Sequence, residues 1–231
     1  MPTPSRRSPV RGEGTRAALL EAATRVFGRD GFHAATTKAI AHEAGANQAL
    51  ISYHFGGKEG LYTAVVEHIL EAIAARIGPV AMEVEAERRA LEAAARATGL
   101  VSPERYFALL IRVVDRFVDV LTAEEATPWA KIIVREQQEP SAAFDLFYSG
   151  LHGRVLALVA SLVARIGGRH TPTAGDRLTT LAIVGQVLVF RVARATAMRF
   201  LEWETLSPKE TARIKKALRR NIGAMLDVDR E

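Results

Sequence analysis

The chain has 231 residues, 48% of them hydrophobic, which is enough for one large domain or two smaller ones and argues against global disorder. It has no cysteine, which excludes disulfides, thiolate zinc sites and cysteine nucleophiles. The formal net charge of +5 is uneven: residues 1–58 hold eight Lys or Arg against four Asp or Glu, and residues 59–231 hold twenty-three against twenty-two.

A basic head on a near-neutral body suits a polyanion partner, although Arg6, Arg7 and Arg11 alone would make a solvated tail. The longest uncharged, mostly apolar run is residues 178–190, short of the roughly 20 residues of a spanning helix. The start, Met1-Pro2-Thr3-Pro4-Ser5-Arg6-Arg7, lacks a signal-peptide core. The expectation is a cytoplasmic protein with no membrane partner.

Residues 1–13, rich in Arg and nearly devoid of apolar side chains, read as a flexible basic arm. From Thr15, a reasonable N-cap, Leu20, Ala23 and Phe27 recur at helical spacing until Gly31. Thr36-Thr37 opens a short helix with Ile40, Ala41 and Ala44 inward, ended by Gly45. A third helix over residues 48–54 turns Ile51 and Phe55 to the core before Gly56-Gly57. A long helix from Lys58 should stop at Gly78-Pro79. Further helices are predicted over 80–98, 103–121, 126–138, 141–166, 174–203 and 207–226, and no stretch has a sustained period of two. The fold class is all-α, with a three-helix N-terminal domain over 14–60 and a larger C-terminal helical domain over 61–231.

Two short helices joined by a tight glycine turn make the helix-turn-helix layout, and the second helix fits the major groove. Asn47 and Gln48 at its tip carry amides suited to base edges. Tyr53 and His54 can reach phosphates, as can the backbone N–H groups of Thr37 and Lys58. The candidate DNA-contacting set is Thr37, Lys38, Asn47, Gln48, Ala49, Ser52, Tyr53, His54 and Lys58. Lys58 opposes the dipole at a helix N-terminus, a conflict that a bound phosphate would relieve.

Residues 15–61 resemble the DNA-binding domain of the TetR family. The stretch Tyr53-His54-Phe55-Gly56-Gly57-Lys58-Glu59-Gly60-Leu61 carries most of the likeness, with Ala23, Phe27, Gly31, Thr36-Thr37, Ile40-Ala41, Ala44-Gly45 and Ile51 in register before it. Leu50 and Ser52 depart from the commonest pattern, and the operator sequence is not readable. Further on, Trp129 to Ile133 leading to Arg135-Glu136-Gln137, then residues 140–145 and 185–194, resemble the CecR-like subgroup. The resemblance implies a repressor that binds palindromic double-stranded DNA. It implies a homodimer through the last two long helices and a small-molecule effector in the C-terminal domain.

Residues 178–190 are apolar all round, as in a helix buried centrally or at a subunit interface, and Ile214, Leu218, Ile222 and Met225 form a one-sided stripe. Gln186, Arg191 and Arg194 interrupt the apolar helix. A buried Arg needs a partner, either an internal carboxylate such as Glu136 or Glu139 or an anionic ligand. Phe107, Trp129, Phe144, Phe147, Tyr148 and Phe190 complete the ligand-binding candidates, with plain core packing as the alternative. Gly56-Gly57-Lys58 is no phosphate loop, because Ser52 and Glu59 stand where a Gly and a hydroxyl are needed. No nucleophile elbow or zinc helix occurs, so the sequence implies neither an enzyme nor a metal or other cofactor.

Overall fold

The computed structural model describes residues 9–98, 102–124 and 126–228. Among these the regular elements are all helical: α1 (Pro9–Ala34), α2 (Thr37–Glu43), α3 (Ala49–Phe55), α4 (Lys58–Thr98), α5 (Pro103–Thr122), α6 (Ala126–Gln138) and α7 (Ala142–Phe147). A π-helical turn (Tyr148–His152) follows, then α8 (Gly153–Ile166), α9 (Ala174–Val192), α10 (Arg194–Phe200) and α11 (Pro208–Leu226).

The helices group into two compact units. The first holds α1 to α3, α4 as far as Glu71, and Thr127–Leu146; the second takes α4 from Ala72, α5, and the chain from Phe147 onward. The first unit therefore includes more than the helix-turn-helix residues. Leu61, Val65, Val66 and Ile69 of α4 are fully buried alongside Leu19, Ala23, Val26 and Phe27 of α1. Phe27, Phe32 and Tyr62 pack ring to ring, Phe27 on Tyr62 at 5.1 Å and Phe32 on Tyr62 at 5.0 Å. The α6–α7 segment joins this unit through polar bonds. Arg135 donates to the Phe27 carbonyl at 2.7 Å. Tyr62 donates to Glu136 at 2.6 Å, and the Ser141 N–H donates to the same carboxylate at 3.1 Å.

The second unit packs α5, α8, α9 and α11 around a core that includes Tyr106, Leu110, Val114, Val118, Leu162, Ile183, Leu218 and Ile222. Thr173 and Asp176 form a reciprocal capping box at the start of α9, and Asp176 also pairs with Arg169. Ser207 caps α11, with Pro208 in its first turn.

Several expectations need correction. Of the flexible arm, residues 1–8 lie outside the described residues, while residues 9–13 belong to α1, which begins at Pro9 rather than after Thr15. The fixed φ of proline suits a first turn. The Gly31 break is observed (φ 80, ψ 170). Pro79 does not end a helix but sits inside the 41-residue α4. Buried Ile77 and Val84 hold the chain on both sides of it, and the Arg76 carbonyl beside it accepts from Arg116 at 2.5 Å.

The helix predicted over 174–203 bends by 83° between α9 and α10. No Gly or Pro marks the bend. It brings Trp203 and Leu206 back onto the core, with Arg213 over the Trp203 ring at 5.4 Å; a straight helix would carry them away. The helix predicted over 141–166 is interrupted by the π-helical turn at Gly150 (φ −77, ψ −142). Ala142–Ile166 is nonetheless long and apolar enough to cross a bilayer, with a mean hydropathy of 1.5, contrary to the sequence expectation. A search for uncharged runs passes over it because Asp145, Arg154 and Arg165 interrupt it. Val155, Leu158, Val159, Leu162 and Val163 of this stretch are buried in the core, as in a central helix of a helical bundle.

Candidate nucleic-acid interface

The α2–α3 pair is fixed by local bonds that the sequence dictates. Thr36 is extended (φ −116, ψ 146), and its hydroxyl accepts the Ala39 N–H at 3.1 Å, starting α2. Gly45 turns the chain with φ 61, a conformation costly for a residue with a Cβ. The Ala46 N–H donates back to the Ala41 carbonyl at 2.9 Å. The Asn47 side-chain oxygen accepts the Ala49 N–H at 2.9 Å and opens α3. Gln48 Nε2 donates to the Thr37 hydroxyl at 2.9 Å, tying the starts of the two helices together. Ile40, Ala41 and Ile51 are buried beneath them.

This scaffold leaves the tip of α3 open. Lys38, Asn47, Gln48, Ala49, Ser52 and Tyr53 are exposed, Tyr53 to 80%, while Thr37, His54 and Lys58 are half-buried. The Tyr53 ring meets the His54 ring edge to face at 5.0 Å, and the rest of it is available to a partner.

The electrostatics have a feature that the sequence does not announce. Glu43 at the end of α2 pairs with Arg25 at 2.7 Å and with Arg29 at 3.5 Å. Two positive charges of the basic head are thereby engaged internally. Lys58 is similarly held: its ammonium donates to the His33 carbonyl at 3.1 Å and lies 4.7 Å from the Phe32 ring centroid. The conflict with the helix dipole is thus answered within the unit even without a phosphate. Gly60, in the first turn of α4, is needed for space, because a Cβ there would lie 1.8 Å from the Phe55 carbonyl oxygen.

Residues 19–65 match the tetR family of bacterial regulatory proteins. Residues 108–227 match the C-terminal domain of the HTH-type transcriptional dual regulator CecR. The CecR dual regulator of Shigella flexneri is 30% identical over 219 residues, covering 94% of this chain and 93% of its own.

The chain belongs to the TetR family.

It is therefore a DNA-binding transcription regulator. Solved TetR-type structures share its fold. A TetR-like regulator from Rhodococcus sp. RHA1 has a TM-score of 0.60 at 19% identity, covering 97% of this chain and 100% of that one. AibR, solved with isovaleryl coenzyme A and operator DNA, has a TM-score of 0.58 at 13% identity, covering 93% and 98%.

The ligand candidates of this TetR-family chain divide between the units. Trp129 and Phe144 are half-buried in the first. In the second, Phe107 is buried in the core and Phe190 packs against it, whereas Tyr148 is 58% exposed. Gln186 is half-buried on α9. Arg191 is buried and donates to the Ala123 carbonyl, and burial together with the charge of Arg194 holds its pKa below the ordinary value. Arg194 is half-buried, and its Nη1 has no hydrogen-bond partner among the described residues. Of the carboxylates suggested by the sequence, Glu136 is committed to Tyr62 and Ser141, and Glu139 is exposed.

The second unit also contains an apolar slot of about 20 Å³, lined chiefly by Val113, Phe117, Leu156, Val184 and Val187, with His152 as its polar member. Phe147 is buried and stacks on the His152 ring at 4.2 Å. None of the residues nominated from sequence lines the slot. Its walls are helical apolar stripes that read like any other core face.

Proposed function

We propose that this TetR-family protein is a cytoplasmic homodimer that represses transcription by binding a palindromic operator through α2 and α3, and that a small effector in the second unit releases it. The observation that carries the reading is the exposed tip, Asn47, Gln48, Ser52 and Tyr53, on a helix tied to α2 and capped by Asn47. Asn47 and Gln48 read base edges, Lys38, Tyr53 and His54 meet phosphates, and the Lys58 helix start adds backbone N–H groups.

An exposed apolar face supports the dimer. Leu178, Leu181, Val189 and Val192 of α9 are 68%, 58%, 45% and 57% exposed and share one side of the helix, with exposed Gly185 between them. Met225 of α11 is also exposed, at 41%. A two-fold axis along these helices would bury the face, and operator half-sites one DNA turn, about 34 Å, apart are the expectation for such a dimer. An effector then acts through its differential affinity for the operator-matched and mismatched spacings. AibR, with the same fold, was captured with both an acyl-coenzyme A and operator DNA.

Selection from random duplexes with the purified protein tests this. A shared palindrome with half-sites about one turn apart is expected, with affinity falling steeply as salt rises. Leu181→Glu should sediment as a monomer and bind the palindrome far more weakly. Selection of unrelated duplexes with salt-insensitive retardation would overturn the proposal.

A further inference from the structure

The apolar slot of the second unit has a chemistry that defines what it accepts. α5 contributes Val113, Val114 and Phe117, α8 contributes Val155, Leu156 and Val159, and α9 contributes Ile183, Val184 and Val187. Among the described residues no Lys, Arg, Asp or Glu lines it; the polar residue is His152, at the end of the π-helical turn.

We infer that this slot is the effector site and takes an uncharged aliphatic molecule carrying one hydrogen-bonding group, an alcohol, ketone or ester, with its chain between α5, α8 and α9 and its polar group on His152. This rests on the reading that the second unit binds the effector.

Three observations support the class. A carboxylate or phosphate would lose its hydration with no cation among the described lining residues to replace it. Burial pushes the His152 pKa down, so the ring is held neutral and offers one donor and one acceptor. The Phe147 ring stacked on the imidazole fixes its orientation.

The slot as it stands has room for about one water molecule, so a ligand enters by widening it. The adjoining segment is built for that. Tyr148–His152 is π-helical, with Gly150 out of helical conformation, and the broken turn leads directly into α8. Single π turns inside helices occur frequently at functional sites.

The test uses the full-length protein with n-alkanols from hexanol to decanol as probes, following binding by the 15N shifts of His152 and by thermal melting. Octanoate and 1-chlorooctane serve as the anionic probe and as the probe without a hydroxyl. Alkanol affinity should rise about fourfold per methylene, and octanol should bind more tightly than octanoate. Val184→Phe fills the slot and should abolish binding. His152→Phe should weaken octanol about three- to tenfold while leaving 1-chlorooctane within about twofold of the unmodified protein. No shift at the solubility limit of any alkanol, or octanoate binding at least as tightly as octanol, overturns the inference. So does equal loss of both octyl probes in His152→Phe. DNA retardation by the same samples without probe is read separately. If it persists while the probes fail, the slot alone is wrong; if it is absent, the regulator reading is wrong as well.

Discussion

Replacing Gly60 by alanine would put a carbon 1.8 Å from the Phe55 carbonyl oxygen and 3.0 Å from its carbonyl carbon. An ordinary C···O contact needs about 3.3 Å, so the end of α3 and the first turn of α4 must separate by about 1.5 Å. Neither side yields easily. Leu61 is fully buried next to Gly60, and Ile51 on α3 is 1% exposed. Overpacking against backbone on both sides should cost about 3 kcal/mol. A displaced α3 also loses base-edge bonds worth about 1–3 kcal/mol each, so operator affinity should fall about 100-fold or more. Gly14→Ala is the matched control. It lies inside α1 with nothing within 4 Å of the new carbon, and should gain about 0.5–1 kcal/mol from helix propensity. Urea midpoints followed by far-ultraviolet circular dichroism give the stability, and band retardation on the selected operator gives the affinity. A Gly60→Ala protein matching Gly14→Ala in both would refute the steric argument.

Gln48→Ala should change base preference at one position of each half-site, whereas Lys58→Ala should weaken all duplexes alike; parallel selections separate the two. Lys58→Ala should also cost about 1 kcal/mol of stability through the lost His33 and Phe32 contacts. Tyr62→Phe removes a donor from the buried Glu136 carboxylate and should cost about 1–3 kcal/mol in thermal unfolding. For Asp176, the Arg169 guanidinium and the Thr173 donors hold the carboxyl well below the ordinary carboxylate range. Its stabilisation is therefore complete above that range and is lost as pH falls through and below it. Asp176→Asn should be less stable than the parent by about 1 kcal/mol at neutral pH, with the gap closing in acid; a gap that stays constant down to pH 2 contradicts the assignment.

Where a signal is local, the chain states its own structure. Thr36 caps α2, Gly45 turns it and Gly56 ends α3, because each supplies a hydroxyl or a left-handed φ that its neighbours lack. The apolar stripe of α11 is local in the same way, and together with the Tyr53 to Leu61 stretch it made the fold class and the helix-turn-helix legible.

Other features depend on energies that no local pattern records. Pro79 breaks a helix only if nothing holds both sides of it, and here Ile77, Val84 and Arg116 do. The bend after Val192 exists because Trp203 and Leu206 gain more from the core than an unbroken helix would. Lys58 meets a carbonyl 25 residues away, and Glu136 a tyrosine 74 residues away. The slot is a small mismatch among three well-formed apolar stripes, with a single histidine among its lining residues. Sequence alone determined the helical class, the Thr36 cap and the glycine stops around the exposed tip of α3, since those follow from backbone hydrogen bonds and near neighbours. Tertiary structure decided which helices stay straight, which charges are engaged and where a cavity opens, since those follow from side chains that only folding brings together.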